Sequence, residues 1–381
     1  MMLQFRNIAG KRAAALFMLL PLGACAMQPR SPVTPAATGT AASTGFLVVG
    51  DTGYVSATPG KSGLMPVAQA MHQYCSTADC RFGLMVGDNI YENGAAGDAG
   101  DAELFRTRFT EPFGPLASLG RDFRIYVALG NHDWHSSRAG ALAQADFLER
   151  NPPMHMNGLF YSVQPPGLGG QVEIFVVDTE MLLAPLSLPD MKSSADGVMV
   201  PTGKQKQGGG TNALPATEAE HGQLKWLERA LAASKAKWKI VMGHHPLWQS
   251  RADSKYAQSI ALRELMLPML CRHADAYFAG HQHTMELQGD SCTGKAADGT
   301  ARVLPNIVSG AGAKARPIDL PFQTWQQKRW PQLDQLWADG GSWGFSHVTL
   351  AGDRMVVRML AVGKDGATTE AFRHEFINRP G

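Results

Sequence analysis

The chain has 381 residues, 44% of them hydrophobic, with a net charge of +2 and a pI near 8.2. That length and apolar content suffice for one large domain or two modest ones with a full core. The near-neutral charge, without a basic stripe interleaved with aromatics, excludes nucleic acid as a bulk partner.

The N-terminus reads as an address rather than as part of the fold. Arg6, Lys11 and Arg12 precede an apolar stretch at 13–22, too short to span a bilayer as a mature helix. Leu22-Gly23-Ala24-Cys25 follows and resembles the lipobox of bacterial lipoproteins, whose cysteine becomes the lipidated first residue. A cleaved signal peptide ending near Ala24 or Ala26 is the alternative, and both predict export. Residues 26–45, rich in Pro, Ala and Thr, read as a flexible tether. Beyond Cys25 four cysteines remain: Cys75, Cys80, Cys271 and Cys292. An oxidising compartment suits two disulfides, and Cys75–Cys80 with Cys271–Cys292 is the most local of three pairings; buried free thiols are the alternative.

Residues 46–49 predict a strand, 63–74 a helix, 82–86 a second strand, 101–110 a helix and 124–129 a third strand. A helix at 142–149 and strands at 159–163 and 172–177 follow. Residues 182–217 show neither helical nor strand period and carry three consecutive glycines, which reads as a long functional or mobile loop. Residues 218–234 form an amphipathic helix with Leu224, Leu227 and Leu231 on its core face. Residues 238–242 predict a strand, 260–271 a helix disturbed by Pro268, and 276–279 another strand. From 304 to 376 the pattern is mostly strand, with Gly352-Asp353 as a turn. Strands alternating with helices imply an α/β core, whose sites sit at the carboxyl ends of strands.

Five polar blocks each follow a short apolar run: Gly50-Asp51, Gly87-Asp88-Asn89-Ile90-Tyr91, Gly130-Asn131-His132-Asp133, Gly243-His244 and Gly280-His281-Gln282-His283. They supply carboxylate, amide and imidazole ligands, too many for one metal and suited to two with a bridging carboxylate. Tyr91 adds a phenol, a hard anion that favours a trivalent ion. Taken singly, Asp51 would be a cap or turn residue and Tyr91 a buried aromatic; the order of all five blocks carries the metal reading.

These blocks resemble the signature of the calcineurin-like metallophosphoesterases, and with the tyrosine that of the purple acid phosphatases: an Asp, GDxxY, GNHD, VxxH and GHxH. Phe175-Val176-Val177-Asp178-Thr179, Gly243-His244-His245-Pro246-Leu247-Trp248 and Ser309-Gly310-Ala311-Gly312 are similar to the short, tartrate-resistant type. The resemblance implies a four-layer α/β/β/α sandwich with two mixed β-sheets, formed by a single catalytic domain at 46–381. It implies iron(III) on Asp51, Asp88, Tyr91 and His283, and a divalent ion (iron, zinc or manganese) on Asp88, Asn131, His244 and His281. It further implies hydrolysis of small phosphate monoesters by in-line attack of a metal-bound hydroxide, at an acidic pH optimum. His132 would contact phosphate or protonate the leaving alkoxide, with Asp133 orienting it. The family often carries a further histidine nine residues after that of VxxH. Asp253 stands there, so acid catalysis rests on His132 alone or is shared with Asp253 or His245. Thr52 replaces a common Trp, and the 182–217 segment lies where relatives carry a restraining loop. A phosphodiesterase or nucleotide hydrolase is the alternative, as is a non-catalytic phosphate-binding lipoprotein. A monomer tethered to the bacterial envelope is expected. His72, His155, His221, His273, His347 and His374 are expected to be ordinary surface or packed residues, His135 is open, and the cluster Trp325, Trp330, Trp337 and Trp343 is expected to be packing.

Overall fold

A computed structural model describes residues 43–292 and 303–377. The signal segment, Cys25 and the tether up to residue 42 lie outside the described residues. In chain order the strands are β1 (Thr44–Val49), β2 (Phe82–Val86), β3 (Ile125–Ala128), β4 (Met154–His155), β5 (Tyr161–Val163), β6 (Val172–Val176), β7 (Ser187–Ser193), β8 (Met199–Gln207), β9 (Trp238–Met242), β10 (Ala276–Ala279), β11 (Met285–Asp290), β12 (Leu304–Ser309), β13 (Leu333–Asp339), β14 (Trp343–Ala351), β15 (Arg354–Val362) and β16 (Thr368–Ile377). The α-helices are α1 (Leu64–Tyr74), α2 (Asp101–Phe105), α3 (Glu111–Phe113), α4 (Arg138–Arg150), α5 (Thr179–Leu183), α6 (Glu218–His221), α7 (Gln223–Ala233), α8 (Tyr256–His273) and α9 (Leu320–Arg329).

Two seven-stranded sheets form the centre. One has the order β16-β15-β14-β1-β2-β3-β4, the other β13-β11-β12-β10-β9-β6-β5. Both are mixed: β1 to β4 and the β6, β9, β10, β12 set are parallel, while β14 to β16, β5, β11 and β13 run antiparallel. Strand periodicity sorts the core. Ile240, Met242 and Phe278 face the first sheet, where Phe46 stacks on Phe82 at 4.7 Å and meets Phe278 edge-on at 5.7 Å. Val241, Tyr277 and Ala279 face the other way and pack with Leu227, Leu231, Leu262 and Met266 of α7 and α8. The expected layering of two sheets between helices is the observed one.

Several local expectations are corrected. The 182–217 segment contains the β7–β8 hairpin, whose residues are mostly exposed or half-buried. Its buried residues Leu188, Met191 and Met199 are spaced by a register shift between Pro189 and Met191, so it leaves no period-2 signal. The helix expected at 218–234 breaks at Gly222; Thr217 and Glu220 form a reciprocal capping box that starts α6. Pro268 lies inside α8 without ending it. Within the strand-rich C-terminus α9 begins at Asp319, whose side chain accepts from Phe322 N, with Pro321 in the first turn. The helix at 101–110 passes from α2 into a π-helical turn, Arg106–Thr110. The Trp cluster is packing: the Arg263 guanidinium lies 3.9 Å from the Trp248 ring and 5.1 Å from Trp330, while Trp337 stacks on Phe372.

Disulfides join Cys75 to Cys80 and Cys271 to Cys292, the latter linking α8 to the residue pair after β11. Their sequence separations are 5 and 21. Loop-closure entropy then gives about 2 kcal/mol for the first and about 3 kcal/mol for the second. Denaturant titration of Cys271→Ser/Cys292→Ser should show the larger loss of stability, and Cys75→Ser/Cys80→Ser the smaller. No helix among the described residues is long and apolar enough to cross a membrane.

Candidate metal centre

Each polar block sits where a parallel strand ends: Asp51 after β1, Asp88 after β2, Asn131 after β3, His244 after β9 and His281 after β10. The first three strands belong to one sheet and the last two to the other, so the blocks meet across the sandwich. Asp51, Asp88, His281 and His283 all have positive φ, at 55°, 53°, 72° and 56°. Left-handed backbone costs a non-glycine residue on the order of 1 kcal/mol, tolerated where surrounding structure enforces it. The turns re-aim these side chains into one place.

The block glycines follow from that crowding. A Cβ on Gly130 would lie 2.3 Å from Asp88 Oδ1, and one on Gly280 would lie 2.4 Å from Asp51 Oδ2. Gly130→Ala should displace the Asp88 carboxylate and lower kcat/KM by roughly 10²-fold, the usual cost of about 1 Å of misplacement. Steady-state kinetics with metal content measured on the same sample would check it; unchanged kinetics would contradict the crowding argument.

Two donor clusters share Asp88. In the first, ligand atoms of Asp51, Asp88 and His283 lie within 4.8 Å of one another. Tyr91 Oη is centred among them, 2.9 Å from Asp51 Oδ1, 2.6 Å from Asp88 Oδ2 and 3.1 Å from His283 Nε2. In the second cluster, Asp88, His244 and His281 converge equally closely. His244 donates Nδ1–H to the Val86 carbonyl at 2.9 Å. Its Nε2 is thereby left as a lone-pair donor, 3.3 Å from Asp88 Oδ1 and 3.2 Å from His281 Nδ1. Asn131 is buried, and its Oδ1 has no hydrogen-bond partner among the described residues. Buried polar atoms are rarely left so.

The electrostatics point the same way. Burial lifts the Asp51 carboxyl to about 7. Burial, then the two carboxylates, hold the Tyr91 phenol well above its usual range. Burial would raise Asp88 too, but a positive charge at His244 Nε2, carried by a proton where a metal ion would sit, keeps it well below the usual carboxylate range. Two buried carboxylates and a phenol within hydrogen-bond distance need cations to ionise together. The orphaned amide oxygen, the fixed His244 tautomer and the shared carboxylate fit a pair of metal ions.

His132 is held from both ends. Its backbone N–H donates to Asp88 Oδ1 at 2.9 Å, its Nδ1–H donates to the Glu92 carbonyl, and its ring lies 4.2 Å from that of Tyr91. Asp133, which the resemblance casts as orienting it, makes no hydrogen bond to the His132 ring among the described residues. The Asp133 carboxylate accepts from the backbone N–H groups of Gly130, Asn89 and Ile90, tying the two loops together, and Glu92 takes the orienting place. His135 also donates to Glu92 O, at 3.0 Å. His245 is buried beside the second cluster. Thr179 Oγ1 accepts from the backbone N–H groups of His244 and His245, so its hydrogen goes to His245 Nδ1 at 2.9 Å. The Nε2–H of His245 then faces Glu180 at 3.5 Å.

A cavity of about 270 Å³ opens onto the clusters, lined by Asp88, Asn131, His132, His281 and His283. Asp253 is in its wall, where Oδ1 accepts from the Lys255 backbone N–H at 2.9 Å. Arg251, Lys255 and Arg316 line it too, and the sequence did not single them out. They belong to no block; only the nearness of Arg251 and Lys255 to the His244 block, and of Arg316 to Ser309-Gly310-Ala311-Gly312, could have signalled them. None of His72, His155, His221, His273, His347 and His374 lines this cavity. A third group, Cys271, Asp290 and Cys292, is accounted for by the disulfide.

Fold and site define a calcineurin-like phosphoesterase. The sequence matches that family over residues 45–285, and the chain belongs to it. Within the family it is similar to purple acid phosphatase 17 of Arabidopsis thaliana, 30% identical over 302 residues covering 78% of this chain and 75% of the relative. Tartrate-resistant acid phosphatase type 5 of Sus scrofa is 30% identical over 273 residues, covering 68% and 72%. A solved purple acid phosphatase from yellow lupin (Lupinus luteus) seeds shares the fold, with a TM-score of 0.53 at 17% identity, over 89% of this chain and 55% of that one. The chain is a metal-dependent phosphatase, with a dinuclear centre typical of its family.

Proposed function

We propose that this protein is an exported acid phosphatase acting on small phosphate monoesters. In this reading iron(III) is held by Asp51, Asp88, Tyr91 and His283, and a divalent ion by Asp88, Asn131, His244 and His281. The observation that carries it is Tyr91 Oη set within 2.6–3.1 Å of ligand atoms of Asp51, Asp88 and His283. Two ions bound there supply Lewis acidity toward phosphoryl oxygens and lower the pKa of a coordinated water.

The chain's own residues do the placing. Val86 O fixes His244 so that Nε2 faces the site, and Asp133 locks the loops carrying Asp88 and Asn131. Glu92 O commits His132 Nδ1, leaving Nε2 to hold a phosphoryl oxygen or pass a proton to the leaving alkoxide. Asp253 borders the same cavity and is the remaining candidate for sharing that proton.

Phenyl phosphate and diphenyl phosphate assayed side by side on fully metallated protein test this reading. A kcat/KM at least ~10-fold higher for the monoester, about 1.4 kcal/mol, is expected; the reverse order would establish a diesterase. Turnover of neither would leave a phosphate-binding protein.

Two disulfides support an oxidising compartment, and the N-terminal sequence supports a lipid anchor at Cys25 of a domain covering 46–381. Metabolic labelling with a radioactive fatty acid should mark the wild type and not Cys25→Ser. Equal labelling of both would remove the anchor.

A further inference from the structure

The cavity that opens onto the metal clusters carries more positive charge than one phosphate monoester can use. Arg251, Lys255 and Arg316 line it together with Asp253. Lys255 Nζ and the Arg316 guanidinium have no ion-pair partner among the described residues, and Arg251 spends only Nε on a neutral acceptor, Pro317 O at 3.0 Å. Backbone anchors fix two of the three. Arg316 N donates to His283 O at 2.8 Å, placing its side chain beside a proposed ligand, and Asp253 Oδ1 holds the turn at Lys255. Lys255 occupies the N-cap position of α8, so the positive end of that 18-residue helix also lies at the wall.

Charge accounting on the proposed centre sharpens this. Asp51, Asp88 and a phenolate Tyr91 carry three negative charges, and a trivalent with a divalent ion carries five positive ones. A phosphate dianion and the hydroxide that attacks it more than match the remainder, so the centre needs none of the wall's charge. Arg251, Lys255 and Arg316 less Asp253 then leave a positive excess at the wall for a second anionic group.

We propose that Arg251, Lys255 and Arg316 form a second anion subsite, making the preferred substrate a phosphomonoester that carries another phosphate. The inference rests on the phosphatase reading above for the site's chemistry, but the subsite can be tested without turnover. Lys255 and Arg316 recognise the distal phosphate by charge-assisted hydrogen bonds, while the proximal one sits among the metal ligands and His132. Asp253 Oδ1 positions Lys255 by accepting from its backbone N–H.

Calorimetric binding of methylenediphosphonate and methylphosphonate to the metal-loaded full chain tests it, since neither is hydrolysed. The wild type should bind the bisphosphonate at least ~10-fold more tightly, and Lys255→Gln/Arg316→Gln should shrink that ratio by about 10-fold or more. Arg316→Lys, which keeps the charge, should retain most of it. A ratio unchanged within about 3-fold in the glutamine variant, or a wild-type ratio near one, would overturn the subsite. The ratio of kcat/KM for propane-1,3-diol bisphosphate over propyl phosphate should shift in parallel. Absence of turnover with an intact binding ratio would remove the phosphatase reading and leave the subsite standing.

Discussion

Asp88→Asn is expected to lower kcat/KM by about 10⁴-fold, roughly 5.5 kcal/mol of transition-state stabilisation. Asp88 is the one carboxylate shared by both donor clusters. Asparagine keeps the shape and can still accept from His132 N, so the loop should hold, yet it removes the bridging charge from both ions at once. Asp51→Asn removes charge from one cluster only and can still accept from His281 N, so it should cost far less, on the order of 10²-fold. Metal analysis should show both ions lost from the Asp88 variant and one from the Asp51 variant. Equal losses in the two variants, or an Asp88→Asn enzyme within about tenfold of wild type, would refute a shared ligand.

Tyr91→Phe should abolish visible absorbance. A phenolate on iron(III) gives a charge-transfer band, and Oη is the atom placed among Asp51, Asp88 and His283. The ring itself packs against His132 and Tyr54, contacts that phenylalanine can keep. The variant should therefore fold and retain its second cluster while losing colour entirely. A wild-type protein that is colourless yet active with two divalent ions would sink the iron(III) assignment.

The candidate site was legible because its residues sit in short blocks directly after buried strands, where chain order survives as motif. Asp51, Asp88, Asn131, His244, His281 and His283 come together as the sequence implied. The orienting role that the resemblance implied for Asp133 has no counterpart in its contacts: its three buried backbone donors, Asn89, Ile90 and Gly130, become neighbours only when β2 and β3 pair. Arg251, Lys255 and Arg316 were invisible for a related reason, being brought to one wall by loops without a motif. In the fold, buried strands such as β9 and β10 show as apolar runs. The β7–β8 hairpin buries Leu188, Met191 and Met199, but the register shift between Pro189 and Met191 breaks their alternation, and α9, LPFQTWQQKR, buries only Phe322 and Gln326. Its start signals, Asp319 and Pro321, were present but were outweighed by flanking strand propensity.

The division of the donors between two sheets bears on folding as well as on chemistry. Asp51, Asp88 and Asn131 hang from one sheet and His244, His281 and His283 from the other, so each proposed ion is a rivet through the seam. Before loading, the buried acids of the first sheet repel one another at the seam; bound cations would instead tie them to the imidazoles of the second. A ligand that binds only the closed sandwich stabilises it by mass action, about 4 kcal/mol at a thousand times its dissociation constant. Metal supply would then decide how much of the chain stays folded, quite apart from how fast it works.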